Sequence, residues 1–127
     1  MNHAIISIGS NINPGYYVPT AVKRISHQYK MLNTSSCIQT EPVGYTDQDD
    51  FMNMVCLIET AGNQDELQDW LKSLEDNLDR VRTSNKNGPR TIDLDVVVWN
   101  GVVVDADVYK RDFLRTLINK VAPEMHI

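Results

Sequence analysis

Between Gly88 and Asp95 the chain reads GPRTIDLD, setting two carboxylates, Asp93 and Asp95, into what is otherwise the start of a buried-looking strand. Strand side chains alternate between faces, so the aspartates point one way while Ile92, Leu94 and Val96 point the other. Two neighbouring carboxylates repel, and keeping both ionised calls for a cation. Mg²⁺, a hard ion that takes oxygen ligands and completes its shell with phosphates, is the usual one. A solvated face with two surface aspartates would show the same spacing. The neighbourhood favours a site, because Arg80, Arg82, Lys86 and Arg90 lie within one loop of the same strand. Guanidinium groups fork onto phosphate oxygens, and phosphoryl transfer depends mostly on positioning and charge neutralisation. Neither GxxxxGK[ST] nor GxGxxG occurs, so a P-loop NTPase and a protein kinase are excluded.

These side chains need a frame. Residues 4–8, AIISI, predict a central strand stopped by Gly9-Ser10-Asn11. Tyr17, Ala21, Val22, Ile25 and Tyr29 predict a helix over about 16–29, which accepts Pro19 only in its first turn. Residues 31–40 read as a strand, 41–47 as a turn-rich loop and 51–60 as a strand buried in mid-sheet, the two strands pairing around the loop. Asn63 and Glu66 form a capping box before Leu67, Trp70, Leu71, Leu74, Leu78 and Val81, which mark one helical face. A polar loop at 83–88 leads to a strand at 91–99, which Asn100-Gly101 turns back onto 102–104. A last helix spans 111–121, before Pro123. This order is the split βαβ plan: an α+β, ferredoxin-like βαββαβ fold, a mostly antiparallel sheet with helices on one face. With 127 residues the chain is expected to form one domain over 1–127.

Composition narrows the partners. A net charge of −5 and 7% aromatic residues argue against a nucleic-acid surface, whereas a local basic cluster on an acidic protein suits a small phosphorylated ligand. The N-terminus lacks a secretory pattern and no apolar run reaches membrane-spanning length, so a soluble, cytoplasmic protein without a membrane partner is expected. Cys37 and Cys56 have no partner at zinc-ligand spacing and read as buried, reduced thiols in two strands.

Three segments carry a resemblance: ISIGSNI at 6–12, TEPVGYTDQDDFMN at 40–53 and GPRTIDLD at 88–95. In order and spacing they resemble the signature segments of the 6-hydroxymethyl-7,8-dihydropterin pyrophosphokinase family of folate synthesis, over nearly the whole chain. The resemblance implies an enzyme that moves the terminal diphosphate of ATP onto the pterin hydroxymethyl group and releases AMP. It implies that Asp93 and Asp95 hold two Mg²⁺ ions bridging the ATP phosphates, while Arg80, Arg82 and Arg90 steady the transferred group. It also implies ATP contacts from Glu75, on the exposed side of the second helix, and from Arg82, Val96, Lys110 and Arg111. Thr40 and Val43 would meet the pterin edge through their backbone, Asn53 through its amide, and Phe51 and Phe113 would flank the ring.

The chain departs from the family pattern after the two aspartates. Family members carry a further loop there, with an arginine and a Pro-His pair directed at ATP. Here Asp105-Ala106-Asp107-Val108-Tyr109-Lys110 runs almost directly into Arg111-Asp112-Phe113. The alternative reading is therefore a pterin-binding relative whose ATP site is weakened or lost.

Overall fold

A computed structural model describes every residue except Ser84 and Lys86; Lys86, counted above with the basic loop, thus lies outside the described residues. The elements are β1 (Asn2–Ser10), α1 (Pro14–Gln28), β2 (Lys30–Thr34), β3 (Ile38–Thr40), β4 (Phe51–Thr60), α2 (Gln64–Asn77), β5 (Asp93–Trp99), β6 (Val102–Val103), α3 (Asp107–Lys110) and α4 (Asp112–Val121). A 3₁₀ turn, Pro123–Met125, follows. The strands form one sheet in the order β2-β4-β1-β5-β6, with β3 also on β4, and every pairing is antiparallel. This is the expected ferredoxin-like arrangement, with the most buried strand, β1, at its centre.

The alternation of β1 and β4 builds two cores. Ala4, Ile6, Ile8, Met54, Cys56 and Ile58 face α1 and α2, joined by Leu94 and Val96 of β5. Ile5, Val55, Val97 and Val98 face the other way, against Val108 of α3 and Leu114, Leu117 and Ile118 of α4. Helices therefore cover both faces, not one. The C-terminal helix was the element whose side could not be read, since period 3.6 tells which stripe is buried and not which face of a sheet receives it. A register shift between Ile5 and Ile6 opposite β5 lets the neighbouring Val97 and Val98 both enter the second core.

Local chemistry explains the boundaries. α1 begins at Pro14, after Asn13 in the left-handed conformation, so Pro19 falls in the second turn and not the first. Its missing N–H would have paired with the carbonyl of Gly15. The strand expected over 31–40 divides into β2 and β3, because between them Ser35 exchanges hydrogen bonds with Val55 through its own N–H (3.0 Å) and its hydroxyl, which accepts the Val55 N–H (3.0 Å). Cys37 lies in this break and is exposed, contrary to expectation, while Cys56 is buried and its thiol is pushed up to about 12 by burial. α2 carries the capping box at Asn63 and Glu66. It stops at Asn77, since Asp79 turns left-handed (φ 65°), leaving Val81 73% exposed and off the buried stripe. Asn100 and Gly101, both at positive φ, make the tight turn from β5 to β6.

Candidate active site

β1, β4 and β5 bring three side-chain positions into line on the sheet face opposite α1 and α2. Gly9 pairs with Asn53 on one side and with Asp93 on the other; one step along, Ser7 stands between Val55 and Asp95. The central position of the first row has no side chain. A Cβ at Gly9 would come within 2.9 Å of Asn53 Oδ1, so the glycine is what lets the amide lie over β1. Asn53 is held there by donating from Nδ2 to Thr40 Oγ1 at 2.5 Å.

Above this row opens a cavity of about 360 Å³, of a size for a small organic ligand. Thr40, Val43, Phe51, Asn53, Arg90, Asp93, Asp95, Arg111 and Phe113 line it, from segments far apart in sequence. The two phenylalanines are half-buried, and the Arg90 guanidinium stands 5.0 Å from the centre of the Phe51 ring. One end of the cavity is thus aromatic and amide-lined, and the other is charged.

At the charged end Asp93 meets two arginines, Oδ1 lying 3.5 Å from Arg80 Nη1 and Oδ2 lying 3.2 Å from Arg90 Nη1. Asp95 has acids for neighbours. Burial, followed by repulsion from Asp93, Asp105, Glu75 and Asp107, pushes its carboxyl up to about 7. Among the described residues no third histidine, cysteine or acid completes a metal-binding group with these two. A cation bound here would take two protein carboxylates and fill its shell with ligand or water oxygens, which suits Mg²⁺ carried in with phosphate. The donor set fits that ion, and the elevated Asp95 carboxyl marks where positive charge is wanted. The Nε atoms of Arg80 and Arg90 are buried and have no hydrogen-bond partner among the described residues.

Several sequence-predicted residues lie beside the cavity and not in it. Glu75 is buried, not exposed. Its Oε2 accepts the Leu94 N–H at 2.8 Å and lies 3.3 Å from Arg80 Nη1, and its Oε1 accepts from Arg82 Nη2 at 2.7 Å. Burial raises its pKa, against the Leu94 N–H and Arg80, which lower it. The helical pattern of α2 placed Glu75 on the polar side because a glutamate in an amphipathic helix normally faces water; here it meets the unpaired edge of β5. One helical repeat earlier, Gln68 Oε1 accepts the Val96 N–H at 3.2 Å, so α2 satisfies the strand edge at two points. Arg82 turns onto Glu75 and Asp76 of α2. The Val96 side chain is buried in the core against α1 and α2, on the face away from the cavity. Lys110 is exposed at the end of α3.

Sequence reasoning missed the ties that hold the rim. Asn11, buried, accepts the Arg90 N–H at 2.9 Å and donates to Gln48 Oε1 at 2.8 Å and to the Asp49 carbonyl at 3.0 Å. Gln48 in turn donates to the carbonyls of Tyr45 (2.6 Å) and Asn87 (2.5 Å). Three loops meet through two amides. Both residues sit within the first two signature segments, which is the signal that could have singled them out. Asp105 and Asp107 also line the cavity, and an i, i+2 pair of acids following β6 was their only sequence mark.

Comparison with known proteins shows which family the chain resembles. A family model described as 7,8-dihydro-6-hydroxymethylpterin-pyrophosphokinase matches residues 5–123. A 2-amino-4-hydroxy-6-hydroxymethyldihydropteridine pyrophosphokinase of Haemophilus influenzae is 31% identical over 133 residues, covering 96% of this chain and 82% of that protein. The Bacillus subtilis protein of the same name is 37% identical over 102 residues, covering 78% of this chain and 60% of that protein. A folic acid synthesis protein of Schizosaccharomyces pombe is 36% identical over 133 residues, or 96% of this chain, which spans 18% of its length. The chain likewise spans 20% of the folic acid synthesis protein of Dictyostelium discoideum. The chain belongs to the 7,8-dihydro-6-hydroxymethylpterin-pyrophosphokinase family.

Proposed function

We propose that the protein transfers diphosphate from ATP to 6-hydroxymethyl-7,8-dihydropterin, giving AMP and the pterin diphosphate, and that one domain, residues 1–127, contains the whole site. The observation that carries this reading is the division of one cavity into an aromatic, amide-lined end and an arginine-carboxylate end, facing each other across Gly9. Asn53 and Thr40 are suited to the edge of a heterocycle, an amide offering both donor and acceptor, and Phe51 and Phe113 to its faces. Val43 contributes to the same edge through its backbone.

In the reaction the pterin hydroxyl oxygen bonds to the β-phosphorus, the bond from that phosphorus to the oxygen bridging the α-phosphate breaks, AMP leaves with the electron pair, and the hydroxyl proton passes to solvent. Asp93 and Asp95 would hold Mg²⁺, which when bound supplies charge neutralisation at the phosphate oxygens. Arg90 lines the cavity beside Asp93, Arg80 reaches the same carboxylate from outside the lining, and Arg111 supplies a further guanidinium to the cavity. Arg82 and Lys110 approach from outside, Arg82 after release from Glu75 and Asp76. Val96 can reach a nucleotide only through its backbone, its side chain being on the far face. The walls exclude water and align the in-line attack, which is most of what such a transfer requires. The described helices include none long and apolar enough to cross a membrane, and we place the protein in the cytoplasm as a reading.

The test is AMP release in the presence of Mg²⁺, ATP and the hydroxymethyl-dihydropterin, each omitted in turn. Release that needs all three supports the proposal. None at high protein concentration overturns it. A second reading, a pterin-binding protein with a weakened ATP site, is favoured by one observation: Asp105 and Asp107 face the charged end, where they oppose a polyanion.

A further inference from the structure

We infer that Arg115, a residue outside the cavity and absent from the signature segments, is a positioning residue that fixes the 105–113 wall of the site. This rests on the proposed function for its catalytic consequence but not for its structural one.

The wall is made from very little chain. α3 has four residues, Asp107–Lys110, and a single helical turn does not hold itself in water. Three contacts hold it instead. The Val108 side chain is fully buried against α4. Asp105 Oδ1 accepts the Asp107 N–H at 2.9 Å and closes the start of the turn. Arg115, one turn into α4, closes the other end: Nη1 donates to the carbonyl of Val108 at 2.8 Å and to that of Tyr109 at 2.7 Å. Its Nη2 pairs with Asp112, whose side chain is 97% exposed, so that ion pair aims the guanidinium while the two carbonyl bonds do the fastening. The guanidinium gives both carbonyls one nitrogen and Asp112 another; an ammonium has a single nitrogen on a different stem and cannot hold all three at once.

The consequence lies on the other side of the turn. Asp105, Asp107 and Arg111 line the same cavity as Asp93 and Asp95. With Arg115 in place, the turn leading into Arg111 is fastened to α4. Without it the turn frays, and Arg111 swings with it. The short segment between β6 and α4 can thus act as a wall because a side chain of α4 braces it from behind.

The experiment compares Arg115→Leu and Arg115→Lys with the parent chain by amide hydrogen exchange and steady-state kinetics. Arg115→Leu should speed exchange at 107–111 by about tenfold or more, leave β1 and β4 unchanged, and raise KM for ATP by about tenfold with kcat altered less than threefold. Arg115→Lys should lie between and restore most of the KM, which guards against a leucine variant that folds poorly. Unchanged exchange at 107–111 overturns the brace. Faster exchange with unchanged KM, or a fall in apparent kcat in proportion to the folded fraction with KM unchanged, overturns the positioning role. A parent chain without activity would refute the proposed function, and the exchange result would still decide the brace.

Discussion

Asp93 and Asp95 share a strand face but not an environment. Asp93 has both oxygens near arginines, whereas Asp95 lies among acids with its carboxyl raised from 3.8 to about 7. A carboxyl that binds its proton more tightly folded than unfolded adds stability below the unfolded value and loses it as pH rises through the folded one. In metal-free buffer the protein should therefore lose stability between about pH 4 and pH 7. Asp95→Asn should remove that loss, raising stability at pH 8 by about 2 kcal/mol and leaving it unchanged at pH 4, as thermal melts across pH will show. The same substitution should abolish AMP release; activity that survives it would refute the metal role. Gly9→Ala is the sharpest test of the amide end. Its methyl must displace Asn53, so pterin affinity, followed by pterin fluorescence, should fall about tenfold with the melting temperature shifting by a few degrees. The spacing of the aspartates was legible in the sequence because strands alternate. The difference between them was not, since it comes from burial of Asp95, from the acids Asp105 and Asp107 near it, and from the arginines at Asp93, all of which the fold assembles.

At the scale of elements, α2 does more than cover the sheet. Glu75 and Gln68 accept the N–H groups of Leu94 and Val96, which β6, pairing only at Val98 and Trp99, leaves free. Glu75→Leu should leave the Leu94 N–H unpaired and take one carboxylate partner from each of Arg80 and Arg82, lowering stability by about 3 kcal/mol in urea unfolding. Asn63→Ala, which removes the helix cap far from the cavity, should cost about 1 kcal/mol and leave KM values unchanged. The helix itself was evident from its capping box and leucine spacing. Glu75 was misread as exposed because helical periodicity assigns a glutamate to water unless a partner is known, and the partner here is a strand edge about twenty residues later. Arg82, bound to Glu75 and Asp76, was likewise beyond reach of spacing alone.

For the whole molecule, a ferredoxin-like sheet provides two faces, and this chain uses them differently: one is closed by α1 and α2, the other is shared between α4 and the cavity. The element order made the sheet legible, and the antiparallel pairing of β4 with β2 and β3 followed from it. Which face α4 would take, and therefore that the site lies between sheet and C-terminal segment, depends on tertiary packing that no local pattern encodes. The central claim is that one cavity accepts pterin and nucleotide together. Calorimetric titration of a non-hydrolysable ATP analogue with Mg²⁺, carried out with and without the hydroxymethylpterin, tests it most directly. The analogue should bind and each ligand should tighten the other; pterin binding indifferent to the analogue, with no heat from the analogue itself, would refute a shared cavity.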